Sequence, residues 1–107
     1  MSEVLLLLTN LPDEASAGLL ATHLVEHRLA ACVNQLAPVR SVYRWQGQVA
    51  QAAEIPLLIK ATRERYAAVE AAVRALHPYD VPELIAVPVE IGLAAYLDWV
   101  VQESTPE

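Results

Sequence analysis

The chain has 107 residues, which is the usual length of one domain and leaves no room for a second hydrophobic core. Thirteen acidic against seven basic side chains give a formal net charge of −6, which argues against a nucleic-acid partner. Hydrophobic residues make up 55% of the chain, more than one small core covers easily, and this excess favours self-association. We therefore expect a single domain over residues 1–107 that assembles with copies of itself.

Hydrophobic patterning divides the first half of the chain into a strand, a helix and a second strand. A continuous apolar run over residues 4–8 predicts a strand buried on both faces, too short for the roughly 20 apolar residues that cross a bilayer. Apolar residues at helical spacing predict an amphipathic helix over residues 13–29. Residues 30–34 predict a second strand that continues, past an interruption at Pro38, into residues 41–45.

A long hairpin is predicted in the middle of the chain. Gln46 and Gly47 form a tight turn, and residues 48–61 then predict a third strand. Pro56 has no backbone N–H, so we expect a bulge, a bend or an edge position there. Two such long strands overhang a small sheet and expose unpaired edge groups, which pairing between subunits would cover.

The second half of the chain completes a recognisable order of elements. Residues 63–76 predict another amphipathic helix, residues 83–90 a fourth strand, and the residues after Gly92 a short terminal helix. The order matches the α+β ferredoxin-like βαββαβ arrangement with a C-terminal helix, in which two helices cover one face of an antiparallel sheet. The short terminal helix covers little of the other face, so we expect a partner chain there.

The sequence also bears on location and chemistry. No positively charged leader precedes the first apolar run, which predicts a cytoplasmic protein without a membrane segment. Cys32 is the only cysteine, so neither an internal disulfide nor a CxxC motif is present. No glycine-rich phosphate loop or nucleophile elbow is found, and we predict a protein that is not an enzyme.

Several short motifs, in one order along nearly the whole chain, resemble those of the CutA divalent-cation tolerance family. They are Ala-Ala-Cys-Val-Asn at 30–34, Ser-Val-Tyr-Arg-Trp-Gln-Gly at 41–47, Glu54, Leu-Ile-Lys at 58–60, Thr62, His-Pro-Tyr-Asp-Val-Pro-Glu at 77–83, Tyr96 and Trp99. The resemblance implies a ferredoxin-like subunit in a compact trimer like that of the PII signalling proteins, with hairpin strands pairing across subunit boundaries. It also implies a role in tolerance to copper and other divalent metals, but no defined reaction.

Candidate metal ligands lie in the proline-stiffened loop 77–83 and in the second strand. An imidazole and a carboxylate suit copper or zinc, so His77 and Glu83 form a partial site, to which Cys32 adds a soft ligand. The alternative is structural: His77 and Glu83 make hydrogen bonds at element ends, and Cys32 is an inert core thiol. We expect Cu(II) or another divalent cation as the ligand, and none to be required for folding.

The resemblance is incomplete at the copper ligands. Family members credited with copper binding carry a cysteine at the end of the first strand and two histidines before the Pro-Tyr pair. Thr9 and Leu76 stand at those positions in this chain, and only His77 remains. The sequence therefore predicts a weak site rather than a tight one.

The only lysine in the chain, Lys60, points to a second possible function. A PII-like sensor or scaffold would bind a small anionic metabolite or a protein partner in a cleft between subunits. Lys60 is its central candidate residue, and the candidate pocket also includes Asn34, Tyr43, Trp45 and Tyr79. The structural alternatives are a lysine that extends into water or pairs with Glu54 or Glu83, and aromatic side chains that pack at an interface.

One further pattern, His-Leu-Val-Glu-His at 23–27, matches the H-x-x-E-H signature of a class of zinc peptidases. Both histidines fall on one side of the predicted helix, and Glu26 falls elsewhere. A chain of 107 residues has no room for the clefted domain that such peptidases use. We therefore interpret His23 and His27 as surface residues.

Overall fold

The computed structural model describes residues 3–106, which form an antiparallel sheet and three α-helices. The strands are β1 (Val4–Leu11), β2 (Cys32–Gln35), β3 (Val39–Trp45), β4 (Gln48–Thr62) and β5 (Ile85–Pro88). The helices are α1 (Glu14–Glu26), α2 (Tyr66–Leu76) and α3 (Ala94–Glu103), and a 3₁₀ turn over Arg63–Arg65 leads into α2.

The sheet has the strand order β2-β4-β1-β5, and β3 pairs with the first half of β4. Each of these pairs is antiparallel. With two helices inserted between the strands, this order is the α+β ferredoxin-like arrangement that the sequence predicts, and that prediction is confirmed.

The core lies between the sheet and the helices α1 and α2. Side chains alternate along each strand, so Leu5, Leu7 and Leu11 of β1 point into this core, together with Leu57 and Ile59 of β4. The helices contribute buried residues at helical spacing, which are Ala17, Leu20, Leu24, Val69 and Val73. In a single copy, β1 is therefore buried fully on one face only, and the predicted burial on both faces is not met.

The opposite side of the sheet carries apolar side chains that helices do not cover. We call this side the open face; it includes Leu6, Leu8, Leu58, Ile85 and Val87. Ile85 and Val87 are 55% and 53% exposed. The helix α3 packs at one end of the sheet, where Val100 joins a small cluster with Val4 and Ala31. It leaves most of the open face uncovered, as expected from the short length of the predicted terminal helix.

The hairpin of β3 and β4 projects from this body, and the described chain, hairpin included, extends 44 Å in its longest direction and 25 Å and 23 Å in the others. Its turn is the predicted one: Gln46 and Gly47 adopt φ values of 50° and 78°, the left-handed pair that favours a tight two-residue hairpin. Pro56 lies between the β3 and β2 ladders, where β4 changes partner, which is the irregularity that a proline predicts.

Most element bounds differ by a few residues from the sequence-based ones, and three of the differences bear on the site. β1 continues to Leu11, because residues 9–11 pair with β4 as residues 4–8 do. Asp13 is the N-cap of α1 and accepts a hydrogen bond from the Ser16 N–H at 2.7 Å, so the helix begins one residue later. β5 covers only Ile85–Pro88, the four residues that pair with β1. Glu83 therefore lies in the loop before β5, not in the strand.

Candidate functional site

Apart from Tyr43 and Trp45 on the hairpin, the predicted site residues fall into two polar groups on the described part of the chain. The first, which we call the loop cluster, consists of Asn10, Glu54, His77, Tyr79 and Glu83. The second, the edge cluster, lies on the open face where β2 meets β4. Its members are Cys32, Asn34, Lys60 and Tyr96.

His77 is the buried centre of the loop cluster, with 7% of its surface exposed. Its Nε2 lies 2.6 Å from the carbonyl oxygen of Asn10, and its Nδ1 lies 3.1 Å from the backbone nitrogen of Tyr79. A carbonyl only accepts and an N–H only donates, so these partners assign the neutral ring with its proton on Nε2. Both ring nitrogens are thus occupied by backbone groups, and neither presents a free lone pair to a metal.

Glu83 joins the same cluster through Asn10. The Asn10 side-chain amide donates to the Glu83 carboxylate at 3.0 Å, and the buried Thr9 hydroxyl donates to the Glu83 carbonyl at 2.6 Å. His77 and Glu83 therefore contact the same residue, His77 at its backbone and Glu83 at its side chain. These contacts are the hydrogen bonds at element ends that the structural alternative describes.

Tyr79 and Glu54 form the outer half of the loop cluster. The Tyr79 hydroxyl donates to Glu54 Oε2 at 3.1 Å, and the Tyr79 ring lies 4.8 Å from the His77 ring, centroid to centroid. Burial, and after it the Glu54 carboxylate, raises the pKa of Tyr79 above its ordinary value. The proton therefore stays on the Tyr79 hydroxyl, which continues to donate its hydrogen bond to the buried Glu54 carboxylate.

This raised pKa predicts the alkaline behaviour of the protein. A tyrosine whose folded pKa exceeds its unfolded value stabilises the fold below about pH 10, and that contribution is lost as pH rises through the folded pKa. In Glu54→Gln the pKa of Tyr79 falls but stays raised, because burial is the larger cause. Absorbance titration of tyrosinate, taken as the difference from Tyr79→Phe, measures both values. Titration of Tyr79 at or below its ordinary pKa contradicts the assignment.

The edge cluster is built by the pairing of β2 with β4. Cys32 and Lys60 are register partners, and the Lys60 ammonium lies 4.0 Å from the Cys32 sulfur while donating a hydrogen bond to the Asn34 side-chain oxygen. Burial, followed by the neighbouring Cys32 thiol, raises the pKa of Tyr96. In the described residues Lys60 forms no ion pair with Glu54 or Glu83.

The structure thus separates residues that the sequence grouped together. His77 and Glu83 belong to the loop cluster, whereas Cys32 belongs to the edge cluster, and within residues 3–106 no three His, Cys, Asp or Glu side chains converge on one point. The candidate anion pocket divides in the same way. Lys60 and Asn34 meet at the edge, Tyr79 lies in the loop cluster, and Tyr43 and Trp45 are exposed on the hairpin.

Sequence reasoning assigned no role to Asn10, which links the backbone contact of His77 to the carboxylate of Glu83. Its only signal in the sequence is its place, with Thr9, in the polar pair that follows the apolar run. Glu54 carried a stronger signal, since an acidic residue beside a long apolar strand segment needs a polar partner when it is buried. The sequence did not identify that partner as Tyr79.

The chain matches a known protein family over nearly its whole length. The profile described as CutA1 divalent ion tolerance protein matches residues 5–103. The Divalent-cation tolerance protein CutA of Thermus thermophilus is 46% identical over 99 residues, which cover 92% of this chain and 94% of that protein. The chain belongs to the CutA1 divalent ion tolerance family. The family resemblance seen in the sequence is thereby confirmed.

Solved CutA structures share this fold. A CutA structure from Xylella fastidiosa superposes with a TM-score of 0.93 at 45% identity, covering 95% of this chain and 98% of that one. The periplasmic divalent cation tolerance protein CutA from Archaeoglobus fulgidus gives 0.92 at 33% identity, covering 95% and 99%. The CutA family is named for tolerance of divalent ions and not for a reaction. In the part of this chain that the structure describes, no helix has the length and apolar character to cross a membrane.

Proposed function

We propose that this CutA-family chain acts as a homotrimer that binds divalent cations, copper first, weakly and between subunits, and thereby contributes to metal tolerance without catalysis. The observation that carries the assembly is the open face, and family membership supports the link to divalent ions. The cytoplasmic location expected from the sequence stays a prediction.

The open face supports self-association because water contacts an apolar surface of a kind that proteins normally bury. Leu6, Leu8 and Leu58 lie side by side across β1 and β4, with Ile85 and Val87 beside them on β5. Burial of such surface contributes about 25 cal/mol for each Å² removed from water. A closed threefold ring presents each copy with the same contacts, and the projecting hairpin supplies further strand edges for pairing.

The chemistry of the candidate ligands supports weak binding. Cys32 is half-buried beside the open face, so copies that cover this face bring their thiols to the interface. Glu83 offers an exposed carboxylate, whereas His77 must give up the Tyr79 N–H before its Nδ1 can bind a metal. Loss of that hydrogen bond lowers the affinity. Cu(II) is the strongest binder among divalent first-row metals at nitrogen and sulfur ligands, and the charge of −6 attracts any cation.

Calorimetric titration with Cu(II) tests this proposal. We expect heat of binding in the natural protein and weaker binding in Cys32→Ser, Glu83→Gln and His77→Ala, with Mg(II) as the control ion that prefers oxygen ligands. Glu83→Gln keeps the acceptor for Asn10 and alters only the charge, so it stays informative if His77→Ala fails to fold. Absence of heat in the natural protein, or equal affinity in all variants, contradicts the proposal.

A second candidate function rests on the contact of Lys60 with Asn34 at the edge of the open face. This ammonium has a neutral partner, so it keeps its charge available for an anionic metabolite in a cleft between subunits, to which Tyr43, Trp45 and Tyr79 of the candidate pocket would add contacts. The same protein samples discriminate between the two functions. If citrate or a nucleotide raises the thermal midpoint, Lys60→Met abolishes that rise and Cu(II) has no effect, the anion-binding function replaces the metal-binding one.

A further inference from the structure

Two histidines that neither proposed function uses lie one turn apart at the C-terminal end of α1. The rings of His23 and His27 stack, with centroids 4.1 Å apart and planes inclined by 28°. His27 is exposed and His23 is half-exposed, so solvent reaches both rings. Residues four apart on a helix lie on the same side, which explains why the sequence brings the rings together.

The hydrogen bonding of this pair leaves a nitrogen available to a metal. His27 Nδ1 lies 3.0 Å from the backbone carbonyl oxygen of His23. Because a carbonyl only accepts, the ring proton of neutral His27 belongs on Nδ1, and the Nε2 lone pair is free. Metal-binding histidines typically hold their other ring nitrogen to a carbonyl or carboxylate in this way. His77 contrasts with this arrangement, because both of its ring nitrogens already have backbone partners.

The electrostatic environment favours a cation at this position. The last turn of α1 ends here, and the C-terminal end of the helix dipole carries partial negative charge. The neighbouring Arg28 directs its guanidinium to the far end of the chain: it donates to the carbonyls of Thr105 and Gln102 and lies 3.9 Å from Glu103. Its charge is therefore compensated there by groups near the end of α3.

We propose that His23 and His27 form a two-histidine chelate for a divalent transition metal, such as Cu(II) or Ni(II), with water completing the coordination. Imidazole suits these ions and not Mg(II) or Ca(II). Metal–nitrogen bonds of roughly 2 Å require both rings to rotate out of the stacked arrangement until their nitrogens face one ion, and two side chains one helical turn apart are close enough to do so. The chelate binds metal and does not catalyse peptide hydrolysis, because Glu26 lines a different hollow between α1 and β2, of about 310 Å³, with Ala21, Thr22, Val25 and Val33.

This site is separate from the one proposed between subunits. α1 packs on the helix-covered side of the sheet through Ala17, Leu20 and Leu24, opposite the open face. Copies that bury the open face therefore leave the histidine pair accessible. The two sites are distinguishable by mutation, since His23 and His27 contribute nothing to the loop cluster or the edge cluster.

Retention of the untagged protein on a Ni(II)-charged column, and calorimetric titration with Ni(II), test the chelate. We expect the natural protein to be retained and His23→Asn and His27→Asn each to bind Ni(II) about 10-fold or more weakly. The matched control is Thr22→His combined with His27→Asn. It keeps the number of histidines on α1 but places them next to each other in sequence, where they do not face one another, so it should bind as weakly as His27→Asn.

Equal binding by this rearranged control and the natural protein contradicts the chelate, as does unchanged binding in both single variants. Circular dichroism shows whether each variant keeps its helices. Cu(II) binding that persists in the His23→Asn/His27→Asn double variant and is lost in Cys32→Ser supports the intersubunit site alone. Cu(II) binding that is lost in the double variant and persists in Cys32→Ser supports the histidine pair alone. Each proposal can therefore fail without the other.

Discussion

Val87→Asp is expected to convert the assembled protein into folded single copies with a mass of 11.7 kDa. Val87 lies on β5 opposite Leu6, on the open face, and is 53% exposed in one copy. An aspartate there stays in contact with water when the copy is alone. In an assembly that buries the open face, the same carboxylate loses its hydration, at an effective cost of several kcal/mol for each ion. Every copy in a ring adds this cost, so the assembly dissociates.

Leu19→Asp is the matched control, because Leu19 is 61% exposed on α1, away from the open face. We expect it to keep the mass of the natural protein, three times that of one chain. Multi-angle light scattering at micromolar concentration measures the mass, and circular dichroism shows whether each variant is folded. A mass of one chain for the natural protein refutes the trimer. An unchanged mass for Val87→Asp shows that the interface does not include the open face.

His77→Phe is expected to lower the free energy of unfolding by roughly 2–4 kcal/mol, at roughly 1–2 kcal/mol for each backbone group that loses its partner. The phenyl ring fills most of the space of the imidazole but offers no hydrogen bond. In the natural protein the ring bonds both the Asn10 carbonyl and the Tyr79 N–H, and in the variant both groups lose their hydrogen-bond partner. The loss is large because His77 is 7% exposed, so water does not easily replace these bonds.

Tyr79→Phe serves as the comparison for this substitution. It removes the hydroxyl bond to the buried Glu54 carboxylate but leaves the backbone N–H bonded to His77, so we expect a loss of roughly 1.5–3 kcal/mol, as for other hydrogen bonds to charged groups. Urea unfolding at one protein concentration measures both variants, since the stability of an oligomer depends on concentration. Equal stability of His77→Phe and the natural protein shows that the ring does not hold the loop, and leaves His77 open to a role in metal binding.

Much of the fold was predictable because its signals are local. The tight turn at Gln46 and Gly47 and the irregularity at Pro56 follow from the backbone chemistry of those residues alone. The helices follow from apolar spacing over a few turns, and the order of elements then restricts the topology to few choices. Family motifs spread along the chain pointed to the same arrangement.

Strand ends were less predictable because a neighbouring strand decides them. The sequence around Thr9 and Asn10 looks like a closing turn, yet these residues continue β1 because β4 pairs with them. Glu83 looks like the first residue of a strand, yet β1 offers partners only from Ile85 onward. Hydrogen bonds to a distant strand therefore overrode local preference at both positions.

The sequence by itself determined the class of fold, the family and the residue types available for binding a cation. Only the tertiary structure decided how these residues are used. It placed Cys32 beside Lys60, and it hydrogen-bonded both ring nitrogens of His77 to backbone groups, one of them 67 residues away. The physical reason is that periodicity and turn chemistry act over a few residues, whereas such contacts depend on the register of strands from distant parts of the chain. The histidine pair on α1 needed no such register, because one helical turn suffices to bring its rings together.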